Sequence, residues 1–259
     1  MRERFSHRQS VAIDLSRTSR MTADAITVLV SRLKDYRFTQ GSLYRGNMPS
    51  DARLRKQFTE SGFFEYVISV YKPKNPEYGT IRARSKLKVD PLMALQLIKL
   101  ATKAIYNKYV KQGSAYKALL ECMNNTWDHA AGRKPKPERW WASVHYDENT
   151  EKVSFTFVDN GVGIFESRDP SILQDALVKL RISKNTEMLR KMLRGEIPSV
   201  TGIPYRGRGI PSIFKCLSRR EIDNLIVITN DVYANVKKDE FRTLKTPFRG
   251  TFLYWEISK

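Results

Sequence analysis

Three short segments of the sequence combine carboxylate and amide side chains with closely spaced glycines. They read ECMNNTWDHA at 121–130, VDNGVGI at 158–164 and YRGRGIPSI at 205–213, and RGTFLYW at 249–255 follows them near the C-terminus. Each segment is short, so the order of the four along the chain is more informative than any one of them.

The first segment would present oxygen-bearing side chains on one face of a helix. Glu121 and Asn125 are four residues apart and Asp128 is three further on, so in a helix they project together. A carboxylate beside an amide can hold a hydrated magnesium ion, which prefers oxygen ligands and keeps several of its waters. Glu121 is then the candidate general base. A solvated helix face without a ligand is the alternative interpretation.

The second segment places a carboxylate beside a flexible loop. Asp159 ends an apolar strand and precedes Gly161 and Gly163. Glycines separated by one residue let the backbone approach a flat ligand closely, and a carboxylate can accept a hydrogen bond from an exocyclic amine such as that of adenine. An ordinary turn after a strand would explain the same residues.

The third segment combines glycine with positive charge. Gly207 and Gly209 flank Arg208 just before the apolar run IPSIFKCL, which predicts a helix. Backbone N–H groups at a helix start can cradle phosphates, and an arginine adds charge there. The sequence contains no Walker-type phosphate loop.

In this order the segments resemble the ATP-binding domain shared by DNA gyrase, heat-shock chaperones, histidine kinases and mismatch-repair MutL, the GHKL superfamily with its Bergerat fold. The resemblance covers residues 90–259. It implies that Glu121 is catalytic, that Asn125 coordinates magnesium, and that Asp159 binds the adenine amino group, with residues 165–206 as a lid. The residues that it assigns to nucleotide binding are Asn125, Asp128, Asp159, Gly161, Gly163, Ile164, Gly207, Arg208, Gly209 and Thr251.

The function that this resemblance implies is an ATPase of GHKL type that binds ATP with Mg²⁺. Its nucleotide state would gate contact with a protein partner encoded nearby. Two alternatives stay open: a serine protein kinase of the anti-sigma type, and a basic nucleic-acid-binding adaptor that uses ATP only as a structural ligand. Gyrase-like and MutL-like ATPases draw a phosphate-sensing lysine from a following domain, whereas eight residues follow Thr251 here, so slow turnover by the chain alone is expected.

The elements that must position these segments predict an α/β protein. WWASVHYD and KVSFTFVD are strand-like and are separated by the four polar residues ENTE, which predicts a hairpin. Helices are predicted over 91–110, 115–130 and 171–193, and strands over NLIVITN and GTFLYWEI. For residues 88–259 the resemblance adds a two-layer Bergerat-type sandwich with a mixed sheet.

Residues 1–75 predict a small α/β lobe. A strand is expected over 11–15, a helix over 22–33, and a second helix from a Ser50 or Asp51 cap to about residue 60, where Gly62 ends it. This pattern is similar to the STAS domains of anti-sigma-factor antagonists. Residues 24–26 read Asp-Ala-Ile in place of the expected Asp-Ser-Ser, so a docking or structural role is expected instead of phosphorylation. The run YKPKNPEYGT predicts a linker, with a boundary near residues 71–88.

The composition indicates an anionic partner inside the cell. The net charge of +19 fits a nucleotide, an acidic protein or nucleic acid equally well. Cys122 and Cys216 are far apart and form neither a disulfide framework nor a zinc motif. The charged N-terminus and the lack of a long apolar run predict a cytoplasmic protein without membrane contact.

Overall fold

The computed structural model describes residues 11–40, 44–67, 80–84, 89–129, 139–166, 182–197 and 209–259, and describes Arg37, Arg84, Asp128 and His129 by their backbone alone. The strands are β1 (Val11–Ile13), β2 (Tyr44–Gly46), β3 (Arg82–Arg84), β4 (Trp140–Asp147), β5 (Lys152–Asp159), β6 (Asp223–Asn235) and β7 (Glu240–Ile257). The helices are α1 (Ala23–Leu33), α2 (Tyr36–Thr39), α3 (Ala52–Glu60), α4 (Phe63–Val67), α5 (Pro91–Tyr106), α6 (Gly113–His129), α7 (Asn185–Arg194) and α8 (Gly209–Ser218).

The strands form two sheets. The main sheet has five described strands in the order β3-β4-β5-β7-β6, and each described pairing in it is antiparallel. The parallel pairing lies in the small sheet, where β1 runs beside β2. The predicted α/β sandwich is confirmed, with the two pairing directions divided between two sheets.

Both faces of the main sheet are covered, because its central strands carry apolar residues on each side. The face that includes Phe155 and Trp255 packs against α5, α6, α7 and α8. The opposite face, which includes Trp141 and Val158, packs against α1, α3 and α4 of the N-terminal region. Residues from the predicted N-terminal lobe therefore share a hydrophobic cluster with the sheet that carries the glycine-rich segments.

Local signals place several helix ends where the sequence predicts them. Asp51 caps α3 by accepting a hydrogen bond from the backbone N–H of Leu54 at 2.7 Å, and Gly62, with φ of 77°, follows that helix. Asp90 caps α5 in the same way through the N–H of Met93 at 2.9 Å. A short side-chain acceptor satisfies an N–H that the first turn leaves unpaired.

Two expectations need correction. The helix predicted over 171–193 is interrupted: residues 182–184 are not helical, and α7 covers Asn185–Arg194 after an extended Lys184 with φ of −130°; residues 171–181 lie outside the described part. Part of the predicted boundary region 71–88 belongs to the main sheet, since Arg82–Arg84 pairs with β4. Ile81 anchors that strand because it is 1% exposed, so one buried apolar residue outweighs the turn-rich sequence before it.

Among the described residues, none of the helices combines the length and the apolar character that crossing a lipid bilayer requires.

Candidate functional site

The strand-borne site residues lie in one row across the main sheet. Asp159 on β5 is opposite Thr251 on β7, and Thr251 is opposite Thr229 on β6. All three are buried, with exposures of 5%, 9% and 0%. Paired residues point to the same side of a sheet, and here that side is the one covered by α6 and α8. A buried carboxylate on β5 is thus paired with a buried threonine on β7, and a second buried threonine follows on β6.

The helix-borne site residues meet at the start of α8. A Cβ atom added to Gly209 would lie 2.8 Å from Oδ1 of Asn125 and 3.1 Å from Oε2 of Glu121. Both side chains come from α6, one helical turn apart on the same face. The first and third segments are therefore in contact, and glycine is the residue that makes room for the amide and the carboxylate.

Two neighbouring residues of α6, Glu121 and Cys122, have shifted pKa values. Burial raises the pKa of the Glu121 carboxyl, although the charge of Lys117 opposes the shift. Burial also raises the pKa of the Cys122 thiol, and the negative charges of Glu121 and Asp159 add to that effect. Burial and the two carboxylates thus both disfavour the charged thiolate.

The loop after Asp159 is held by residues of β6. Gly161 donates its N–H to Oδ1 of Asp159 at 2.8 Å, and Ile164 donates its N–H to the Thr229 hydroxyl at 2.9 Å. The amide of Asn230 donates to the carbonyl of Val162 at 2.9 Å. All three hydrogen bonds join a side chain to the backbone of the loop, and together they fix the turn.

Two glycines make this packing possible. Gly163 has φ of 87°, and a Cβ there would overlap the side chain of Asn230. Gly250 has φ of 90°, and a Cβ there would overlap the carbonyl oxygen of Asp159 and lie 2.9 Å from the Cα of Asn160. Positive φ values favour glycine in any case, so these two positions exclude other residues twice over.

Thr229, Asn230 and Asn160 are structural members of the site that the sequence analysis did not single out. Thr229 and Asn230 end the run NLIVITN that predicts a strand, and this polar pair was the available signal. The observed β6 continues beyond them to Asn235. The buried side chain of Ile164, 9% exposed, belongs to the hydrophobic cluster under the site. Gly207, Arg208 and the side chain of Asp128 lie outside the described residues, as does most of the predicted lid.

The oxygen atoms that the described residues offer suit a magnesium ion that is held mainly by the phosphates of a bound nucleotide. Asn125 and Glu121 offer oxygen atoms at one place beside Gly209, the donor type that Mg²⁺ prefers. Within the described ranges no group of three or more His, Cys, Asp and Glu residues could hold a metal alone. Phosphate oxygens and water would complete such a site.

No family model matches the chain, and no curated protein matches it.

Proposed function

We propose that the chain is an Mg-ATP-binding ATPase of the GHKL type, in which the nucleotide state gates contact with a partner. The main support is the meeting of the separate segments: Gly209 of the third lies against Asn125 and Glu121 of the first, and Asp159 of the second pairs with Thr251 of the fourth. Chance motif matches would have no reason to converge in space.

Adenine recognition is assigned to Asp159, with Thr251 beside it. The carboxylate is 5% exposed, so a bound amine would replace water at a site of low dielectric, where a charge-assisted hydrogen bond is strong. Gly250 lets β7 approach the backbone at Asp159 closely, and this approach keeps the carboxylate and the threonine hydroxyl side by side.

The chemistry near the phosphates is assigned to Glu121 and Asn125. Glu121, with a pKa raised by burial, is suited to accept a proton from an attacking water. Asn125 would hold the magnesium ion, which when bound neutralises phosphate charge. Gly209 is the first described residue of α8, and the N–H groups at the start of a helix favour an anion.

Partner gating and cellular location are further parts of the proposal. The charge of +19 supports an acidic partner or nucleic acid. Cys122 and Cys216 are both buried and unpaired, which supports a reducing cytoplasm.

Calorimetry with Mg-ATP tests adenine recognition. Asp159→Asn should weaken binding about ten- to a hundredfold, since a buried hydrogen bond to a charged group is lost. Asp239→Asn is the matched control, because Asp239 is exposed and pairs with Arg190 at 3.3 Å in the β6–β7 turn. No Mg-ATP binding by the wild-type chain would overturn the proposal, and equal affinities for wild type and Asp159→Asn would overturn the adenine assignment.

Phosphate release tests the division of roles on α6. Glu121→Ala should abolish turnover and keep ATP binding, whereas Asn125→Ala should weaken the magnesium-dependent part of binding. Wild-type turnover by Glu121→Ala would contradict the role of Glu121.

Transfer of labelled phosphate to an added STAS protein would favour the kinase alternative. Salt-dependent DNA binding without turnover would favour the adaptor.

A further inference from the structure

Asn160, which follows Asp159 directly, is held by the N-terminal region. Its side chain is buried, at 2% exposure. The amide nitrogen donates to the carbonyl oxygen of Ser31 in α1 at 2.9 Å, and Oδ1 accepts from the Arg32 guanidinium. The residues that hold this amide are thus nearly 130 positions away along the chain.

The same guanidinium also reaches β7. Its second nitrogen donates to the carbonyl oxygen of Arg249 at 2.8 Å, and the next residue is Gly250. One planar side chain therefore binds the side chain of Asn160, directly after β5, and the backbone of Arg249 on β7, two residues before Thr251. Asp159 and Thr251 are directly paired, so Arg32 joins the two backbone segments that set their separation.

Aromatic rings fix the position of this guanidinium. It lies 4.3 Å from the ring centre of Phe38 and 4.4 Å from that of Phe248. Stacking on aromatic faces and forked hydrogen bonding are both properties of arginine that lysine lacks. The side chain is thereby held in one geometry before any ligand binds.

We infer that Arg32 is a positioning residue for the Asp159 carboxylate. Through Arg32, helix α1 holds this carboxylate in the position that recognises the base. This inference rests on the proposed function for its ligand and on the observed hydrogen bonds for its mechanism. Arg32 does not itself need to touch the nucleotide. It binds Asn160 and Arg249, which lie next to the paired residues Asp159 and Thr251 on the adjacent strands β5 and β7.

A comparison of two nucleotides separates positioning from general stability. ATP and purine riboside triphosphate differ by the exocyclic amine that Asp159 would bind. Arg32→Ala should weaken ATP binding about tenfold and leave the affinity for the analogue close to that of wild type. In an Asp159→Asn background, Arg32→Ala should have no additional effect on ATP. Arg32→Lys should restore only part of the loss, because an ammonium lacks the planar fork.

The matched control is Arg242→Ala, which removes another arginine stacked on an aromatic ring, 4.2 Å from Tyr233, on a part of β7 away from the paired site residues. It should change neither affinity. Equal losses of ATP and analogue affinity in Arg32→Ala would overturn the positioning role in favour of a general structural one.

Hydrogen exchange tests the mechanism without any nucleotide. Gly161 donates to the Asp159 carboxylate, so its amide reports on the carboxylate position. Arg32→Ala should exchange this amide at least several-fold faster while the amides of α5 keep their wild-type rates. Unchanged Gly161 exchange in a folded Arg32→Ala chain would overturn the inference. Faster exchange in a chain that binds no ATP would leave the positioning in place and reject the proposed function.

Discussion

Gly209 and Asn125 are so close that a single methyl group between them would lie 2.8 Å from the amide oxygen. The two residues come from different segments, one at the start of α8 and the other near the C-terminal end of α6. Gly209 is not among the residues with positive φ, so its backbone conformation is open to alanine. The requirement for glycine here is one of space beside Asn125 and Glu121.

Gly209→Ala is therefore predicted to damage the site more than the fold. The added methyl meets the ends of two flexible side chains, which can rotate away, so the midpoint of thermal unfolding should change by only a few degrees. Magnesium-dependent ATP binding should fall about tenfold or more, because Asn125 leaves its position. Differential scanning fluorimetry and calorimetry on the same samples measure both effects. Mg-ATP affinity equal to that of wild type would contradict this prediction.

Gly163→Ala is predicted to destabilise the protein by about 2–3 kcal/mol. The residue has φ of 87°, a conformation costly for alanine, and the side chain that it would meet belongs to Asn230, which is itself hydrogen-bonded to Val162 at 2.9 Å. Urea denaturation measures the change. Gly113→Ala is the control, because nothing lies within 4 Å of a Cβ there, and it should be neutral or slightly stabilising. Equal stability of the two variants would contradict the packing seen at Gly163.

Gly250→Ala is predicted to be the most damaging of the glycine substitutions. Its Cβ would overlap the carbonyl oxygen of Asp159, and backbone cannot move aside as a side chain end can. β5 and β7 must separate at this point, so a loss of stability of about 3 kcal/mol or more is expected. If the variant folds, ATP affinity should fall together with stability. A folded Gly250→Ala chain with wild-type stability in urea would refute the close approach of the two strands.

Glu256→Gln is predicted to reduce the dependence of the free energy of unfolding on pH in the acidic range. Burial alone would raise the pKa of this carboxyl, but hydrogen bonds from Tyr254, Asn224 and Lys152 outweigh burial and lower it; they measure 2.7, 2.8 and 3.1 Å. Because the folded pKa lies below the unfolded value, the stabilisation is present above about pH 4.5 and is lost as the pH falls through the lowered folded pKa.

The expected result is a loss of roughly 1 kcal/mol for Glu256→Gln at pH 7 that shrinks as the buffer is made more acidic. Unfolding in urea at a series of pH values from 7 to 3 measures it. Glu151→Gln serves as the control, since that carboxylate is 65% exposed and pairs only weakly with Lys259 at 3.6 Å. Parallel pH profiles for wild type and Glu256→Gln would show that folding does not lower the pKa of Glu256.

Features encoded over a few neighbouring residues were predictable from the sequence. The strand-like runs 140–147 and 152–159 with a short polar turn predict the observed β4–β5 hairpin. The predicted cap at Asp51 and the predicted helix start at Pro91 match the observed helices. Caps, turns and periodicity depend on the chain within one or two turns of itself, so tertiary packing had little left to decide there.

Contacts between distant segments were decided only by the tertiary structure. The sequence pattern indicates Asp159 and Thr251 as site residues. It indicates neither Asn230, which meets Gly163, nor Arg32, which holds Asn160 from α1. The domain boundary predicted near residues 71–88 includes residues 81–84, although burial of Ile81 draws Arg82–Arg84 into the sheet. The physical reason is common to all three: hydrogen bonds and buried surface between residues far apart in the chain form only where the whole fold brings them together, and no local period records which partner each residue will meet.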